Sequence, residues 1–374
     1  MNMARAKRTN KRLDFALTLA GLGLVLHGTP AFAQTMPPPP DLPPVGSAKA
    51  ASGRVGFDDG LYVSTADDAH RISVGGRLMT RFAVAREDGL VQSRFSIPTA
   101  RARISGHVFS TNDFVISGEL GRGAFELRDA YLDRPIFGAR LRLGQFKVPY
   151  SRQQLTSLSR MQFTERALTN AFSNADRDLG ISLYHRPEPK SRGVEWYLGV
   201  FNGGGVAPAQ LVDHALPRVA ARIGWSSARV NGYDEADFDG GPLRVAAALG
   251  YLGDLTPTDA MVHRFNVDGI LKFYGTSLSW AAYLNSRPSP AETRKLAIGY
   301  HAQIGHFLVP RRLEFGARFS RIPEAQRERQ EVLAVMNIYG FEHRLKWQVE
   351  GGTFRTPGSD VLDWLLRIQM QVVI

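Results

Sequence analysis

The stretch Arg71-Ile72-Ser73-Val74-Gly75-Gly76-Arg77-Leu78-Met79-Thr80-Arg81-Phe82-Ala83-Val84 decides the fold. Ile72, Val74, Leu78, Phe82 and Val84 share one face, joined by Gly76 and Thr80, while Arg71, Ser73, Gly75, Arg77 and Arg81 share the other. A period of two is the signature of a strand with unlike faces. Here the polar face is dominated by arginine.

The pattern recurs along the chain. Ile104 and Val108 oppose Arg101, Arg103, Ser105 and His107; Leu141 and Leu143 oppose Arg140 and Arg142. Val219, Ala221, Ile223 and Trp225 oppose Arg218 and Arg222, and Leu313, Phe315 and Phe319 oppose Arg312, Glu314 and Arg318. The chain ends on such a segment, with Trp364, Leu366, Ile368, Met370, Val372 and Ile374 alternating with Arg367, Gln369 and Gln371. A soluble sandwich or β-helix explains any one of these segments. It does not explain arginine on nearly every polar face together with an apolar terminal strand.

The amino terminus supplies the context. Arg5, Lys7, Arg8, Lys11 and Arg12 precede the apolar run Phe15 to Leu26, and Ala31-Phe32-Ala33 follows it. That order predicts a signal peptide over 1–33, too short in its apolar part to cross a bilayer as a helix. Removing those five basic groups and Asp14 lowers the formal charge of +11 by 4, to +7, so the mature chain stays basic. Residues 34–54 include Pro37-Pro38-Pro39-Pro40 and read as an extended periplasmic linker. Cysteine is absent, which removes thiolate metal sites and cysteine nucleophiles.

A secreted chain with no second long apolar run can enter lipid only as a closed barrel, which satisfies every backbone donor and acceptor without helices. The expectation is an all-β transmembrane antiparallel barrel over 55–374. The short stretch Leu61 to Thr65 is read as a lead-in, and an even count of about 16 strands remains. Thr111 to Asp113 and Tyr274 to Gly275 predict tight turns on one rim. Asn202 to Gly205 with the residues after it, Asn231 to Gly241 and Pro323 to Gln330 predict long loops on the other. Between Phe146 and Asp178, Leu155, Leu158, Met161, Phe163 and Leu168 follow a possible cap at Ser151 at broadly helical spacing. The segment 147–177 is therefore expected to fold into the barrel and narrow it.

Leu141-Arg142-Leu143-Gly144-Gln145-Phe146-Lys147-Val148-Pro149-Tyr150-Ser151 resembles the central signature of the phosphate-selective porin O and P family. Gln162 to Arg166, Arg177-Asp178-Leu179-Gly180, Ile298 to Gly305, Leu313 to Ser320 and His343 to Gln348 extend the resemblance. It implies a sixteen-stranded outer-membrane channel, a homotrimer, with an inward third loop and an anion-selective pore. Two departures stand out. The last residue is Ile374 where such barrels usually end on an aromatic, and the mature chain has six lysines beside thirty-five arginines, whereas strongly phosphate-selective members are notable for pore lysines. The solutes expected are therefore small anions in general, with phosphate and other oxyanions among them.

Period two points Arg77, Arg81, Arg101, Arg103, Arg140 and Arg142 at the lumen, and Lys147, Arg152 and Arg166 belong to the long loop. These nine are the expected pore-lining and anion-binding residues. Arg140 and Arg142 are expected beside the loop, where they would control permeation more than Arg312 and Arg318. Cationic rings in a low-dielectric wall favour anions, and guanidinium groups hold oxyanions bidentately. Inward carboxylates such as Glu119, Glu314 and Glu350 offer the competing reading, in which arginines serve as structural pairs. A barrel hydrolase is the rival from another class, but nine scattered histidines form no defensible serine-histidine pattern. An adhesin or scaffold rests only on the proline run. No cofactor, metal or nucleic acid is implied; the other partner expected is outer-membrane lipid.

Overall fold

The computed structural model describes residues 53–374 apart from 59, 88, 122, 174, 204, 206–216, 256–260, 288–294, 324–327 and 356–361. The expected signal peptide and residues 34–52 of the expected linker lie outside the described residues.

Sixteen antiparallel strands, from Arg71–Glu87 to Asp363–Val373, each pair with the next, and the last pairs with the first. Closure at the seam is carried by Leu78↔Val372 and Phe82↔Ile368, and Gly76 and Ile374 exchange backbone hydrogen bonds of 2.7 and 2.9 Å. A ring without edges leaves no strand unpaired in lipid. The lead-in forms two short strands, Arg54–Phe57 and Leu61–Ser64. The second pairs with Arg71 to Val74, below the point where the terminal strand stops.

Burial is inverted relative to a soluble domain. Glu314, Lys346 and Glu350 are fully buried at 0 %, while Leu249 and Ile298 on the outer face are 58 % and 61 % exposed. Alternation thus sends polar groups into the lumen and apolar ones to the surroundings, the pattern of a wall that faces lipid. Phe109, Phe137, Tyr274 and Phe341 are exposed at the turns of one rim, as an aromatic girdle requires. Two of these turns, Phe137-Gly138 and Tyr274-Gly275, have positive φ at both central residues, the primed geometry that matches strand twist.

Two expectations need correction. The strand expected from about 99 runs from Leu90 to Val108. Met79↔Thr99 is followed by Arg81↔Ser96, so Ile97 and Pro98 sit in a bulge, the place where a residue without an amide hydrogen is tolerated. The second correction concerns residues 231–241. They connect Arg218–Ser226 to Arg244–Leu255 on the rim of the tight turns and the carboxyl terminus, not on the opposite rim. Nor do they stand in solvent: Tyr233, Ala236 and Asp237 are 1–7 % exposed.

Candidate functional site

The segment after Lys147 crosses the lumen. It is not one helix but three short pieces: helix Arg152–Leu155, a 3-10 turn Leu158–Arg160 and helix Leu168–Ser173. Ser151 caps the first, its hydroxyl accepting from the Gln154 amide at 3.3 Å. The pieces are broken because the backbone follows bonds to the wall. Asp268 accepts from the Arg152 amide at 2.9 Å and from its Nε at 3.1 Å. Glu314 accepts from Gln162 Nε2 at 2.6 Å, Glu350 from the Thr164 amide at 2.8 Å, and Lys346 Nζ donates to the Met161 carbonyl at 2.7 Å.

The segment of residues 227–243 enters from the opposite rim and meets this loop. Glu235 accepts from the Gln162 amide at 2.9 Å and from Gln303 Nε2 at 2.8 Å, and its own amide donates to the Arg160 carbonyl at 3.0 Å. Arg152 Nη1 donates to the Gly232 carbonyl at 2.7 Å, and Tyr233 donates to Glu195 at 2.6 Å. Burial opposes ionisation of Asp234, but His343 at 2.9 Å outweighs it and holds the carboxyl at about 2. Together the two segments cover the wall built from the later strands.

A cavity of about 1530 Å³ remains open along the earlier strands and reaches the turns near Arg312 and Phe341. Arg77, Arg101, Arg103, Arg142 and Lys147 line it. The degree of neutralisation separates these groups. Arg101 pairs with Glu119 at 3.1 Å and Arg142 with Asp133 at 2.6 Å. Among the described residues Arg77 has only the Ser157 hydroxyl as a hydrogen-bond partner, at 2.9 Å, and its Nε is buried without one. Lys147 Nζ reaches two loop carbonyls, Leu155 at 3.1 Å and Thr156 at 3.0 Å. Arg103 is exposed to the lumen and has no ion-pair or hydrogen-bond partner among the described residues.

The other expected residues lie elsewhere. Arg81 is buried, donating to Glu165 at 2.6 Å and to the Thr164 carbonyl at 3.1 Å, so it ties the loop to the wall. Arg152 is locked between Asp268 and Gly232. Arg166 bonds to carbonyls of its own loop, Gln153 at 3.0 Å and Thr156 at 2.9 Å. Burial, with repulsion from Arg177, draws its guanidinium down to about 10. Arg140 is at the turn end of strand Ala139–Lys147, the far end from the loop, paired with Asp113 and, at 2.7 Å, with Asp133. The expectation that it flanks the loop is corrected accordingly. Of the late pair, Arg312 lines the mouth of the cavity, and Arg318 is buried against Glu331 at 3.1 Å.

Sequence reasoning missed Arg177, which also lines the cavity and pairs with Asp129 at 2.9 Å. It also missed the lumenal rings Tyr131, Tyr184 and Tyr197. Period two on the strands carrying these tyrosines was the available signal. No group of three His, Cys, Asp or Glu among the described residues is placed to hold a metal.

Residues 73–222 match the sequence model of a family described as Phosphate-selective porin O and P. No curated protein matches the chain. Among solved structures, the chain is similar to an anion-selective porin from Comamonas acidovorans, at 12 % identity and a TM-score of 0.60, over 81 % of this chain and 99 % of that one. It is similar to the outer membrane channel DcaP of Acinetobacter baumannii at 11 % identity and a TM-score of 0.60, over 86 % and 100 %. A third likeness, at 13 % identity and a TM-score of 0.55 over 82 % and 100 %, is to OmpT of Vibrio cholerae in its trimer form. Family match and closed barrel identify a channel of the bacterial outer membrane.

Proposed function

We propose that this chain, whose residues 73–222 match the phosphate-selective porin O and P family, is a passive diffusion channel that prefers anions, oxyanions such as phosphate among them. One observation carries the reading. On the wall under the two inward segments, arginines are matched by carboxylates: Arg222 with Asp268 at 2.8 Å, Arg318 with Glu331 at 3.1 Å, Arg367 with Glu350 at 2.8 Å. On the wall facing the cavity, Arg77, Arg103 and Lys147 have no carboxylate at ion-pair distance among the described residues. Structural pairing thus accounts for the first set and not for the second. Unneutralised cations in a narrow low-dielectric passage concentrate anions and exclude cations. The loop from Lys147 to Arg177 is the constriction in this reading, and Arg77 and Lys147 touch it directly.

Guanidinium and ammonium together favour oxyanions, which accept several charge-assisted hydrogen bonds, over chloride. Phosphate added to a bilayer carrying chloride current should therefore reduce that current in a saturable way. A chloride current indifferent to phosphate would leave the anion preference without an oxyanion site. The same recording separates a channel from a hydrolase or a scaffold, since only a channel gives stepwise conductance. Cleavage after Ala33 and assembly as a homotrimer complete the proposal; the trimeric neighbour from Vibrio cholerae supports the second.

A further inference from the structure

We propose that Arg103, Tyr131, Arg142 and Tyr184 form a site on the lumen wall for planar aromatic carboxylates. This inference rests on the anion-channel reading and narrows its substrate class. Water-filled lumens are lined by polar groups. Here Tyr131, Phe146, Tyr184 and Tyr197 line the cavity from four successive strands, and Tyr233 joins them from the inward segment of residues 227–243.

The rings are organised around one guanidinium. Arg142 Cζ lies 4.2 Å from the centroid of Tyr131 and 4.9 Å from that of Tyr184. Tyr184 stacks on Tyr197 with centroids 5.2 Å apart and planes within 9°. Asp133 fixes the orientation of Arg142 by accepting from Nε at 2.9 Å and Nη2 at 2.6 Å, and the Tyr184 hydroxyl accepts at 2.8 Å. Arg142 is thereby neutralised and adds a flat polarisable surface to those of the rings. It supplies little free charge.

The free charge stands beside it. Arg103 is paired in register with Gly75 on one side and Ser117 on the other, so no large neighbour screens it. Its strand is separated from that of Tyr131 by one strand, Asn112–Glu119. Tyr131 lies opposite Val115 and Arg103 opposite Ser117, so two inter-strand spacings and an offset of two residues put the two backbones roughly 12 Å apart. That span suits a ligand whose carboxylate meets Arg103 bidentately while its ring lies against Tyr131, which stays partly open to the cavity. A tetrahedral oxyanion uses the charge but gains nothing from the rings.

The alternative is that the tyrosines only wedge Arg142 in place. A wedge raises or lowers the affinity of every carboxylate alike; a stacking surface distinguishes an aromatic ring from a saturated one. The test compares block of chloride current by benzoate and by cyclohexanecarboxylate, equal in charge and similar in size, in bilayers containing the full barrel. In the wild type benzoate should half-block at a concentration about fivefold lower, the size of one aromatic contact. Tyr131→Leu should bring that ratio to about one. A ratio near one in the wild type, or one that survives Tyr131→Leu, overturns the proposal. Should that variant fail to insert, pentafluorobenzoate against benzoate on the wild type reads the same contact. The electron-poor ring should block at the lower concentration on electron-rich tyrosine, and equal or reversed order overturns the site. A reversal potential favouring potassium in the same bilayers would instead sink the anion-channel reading beneath it.

Discussion

Replacing Arg77, Arg103 and Lys147 together by glutamine is expected to lower the ratio of chloride to potassium permeability roughly tenfold, the low end of what a focused charged cleft supplies. Among the described residues these three cations of the earlier strands line the cavity with no carboxylate at ion-pair distance, so their removal breaks no ion pair. Arg311 and Arg312 provide the comparison. They line the mouth of the same cavity, and Arg311 is exposed and paired with Glu342. Exposed charges are screened beyond about 8 Å at physiological salt, so changing both to glutamine should move the ratio far less. Equal losses in the two variants would mean that selectivity comes from the diffuse positive field of the whole chain.

Asp268→Ala is expected to cost about 3–5 kcal/mol of barrel stability, the range for breaking a buried ion pair by deleting one partner. Asp268 is 1 % exposed and holds both Arg222, at 2.8 and 2.9 Å, and Arg152 of the inward loop. Its loss leaves Arg152 without a carboxylate and Arg222 with Glu195 alone, at 3.4 Å, and removes one of the anchors that hold the loop to the wall. Urea unfolding in lipid vesicles, followed by tryptophan fluorescence, should show the lowered stability, and single-channel records should become noisy as the loop moves. Asp268→Asn keeps an acceptor without the charge and should fall between. An unfolding midpoint unchanged in the alanine variant would mean that Glu314 and Glu350 hold the loop unaided.

The barrel was legible because its two faces meet opposite solvents, and alternation in Arg71–Val84 or Trp364–Ile374 is undisguised. The half-strand before Thr99 was not, since the bulge at Ile97 and Pro98 shifts the period at that point. The inward course of residues 227–243 was legible in principle. With 16 strands counted, direction alone puts that connection on the rim of Tyr274-Gly275, and acidic Asp234, Glu235 and Asp237 beside Tyr233 suit a cationic lumen. Which side of the wall each arginine faces followed from period two. Which arginines are neutralised did not, because pairing depends on cross-strand register. Asp133 sits in register with Arg142 and also takes Arg140, while Arg103 meets only Gly75 and Ser117. Arg81 and Arg152 face inward as expected, yet they are bound to the loop and its anchors, a distinction that exists only once the loop is folded.

The central claim is that unneutralised cations on one wall set the charge preference of the channel. The most direct measurement is the zero-current potential of the purified wild-type barrel in a neutral-lipid bilayer under a potassium chloride gradient. The account predicts a potential of the sign set by chloride moving more readily than potassium, shrinking as salt is raised and the wall charges are screened. A potential of the opposite sign, at low salt as well as high, would contradict it.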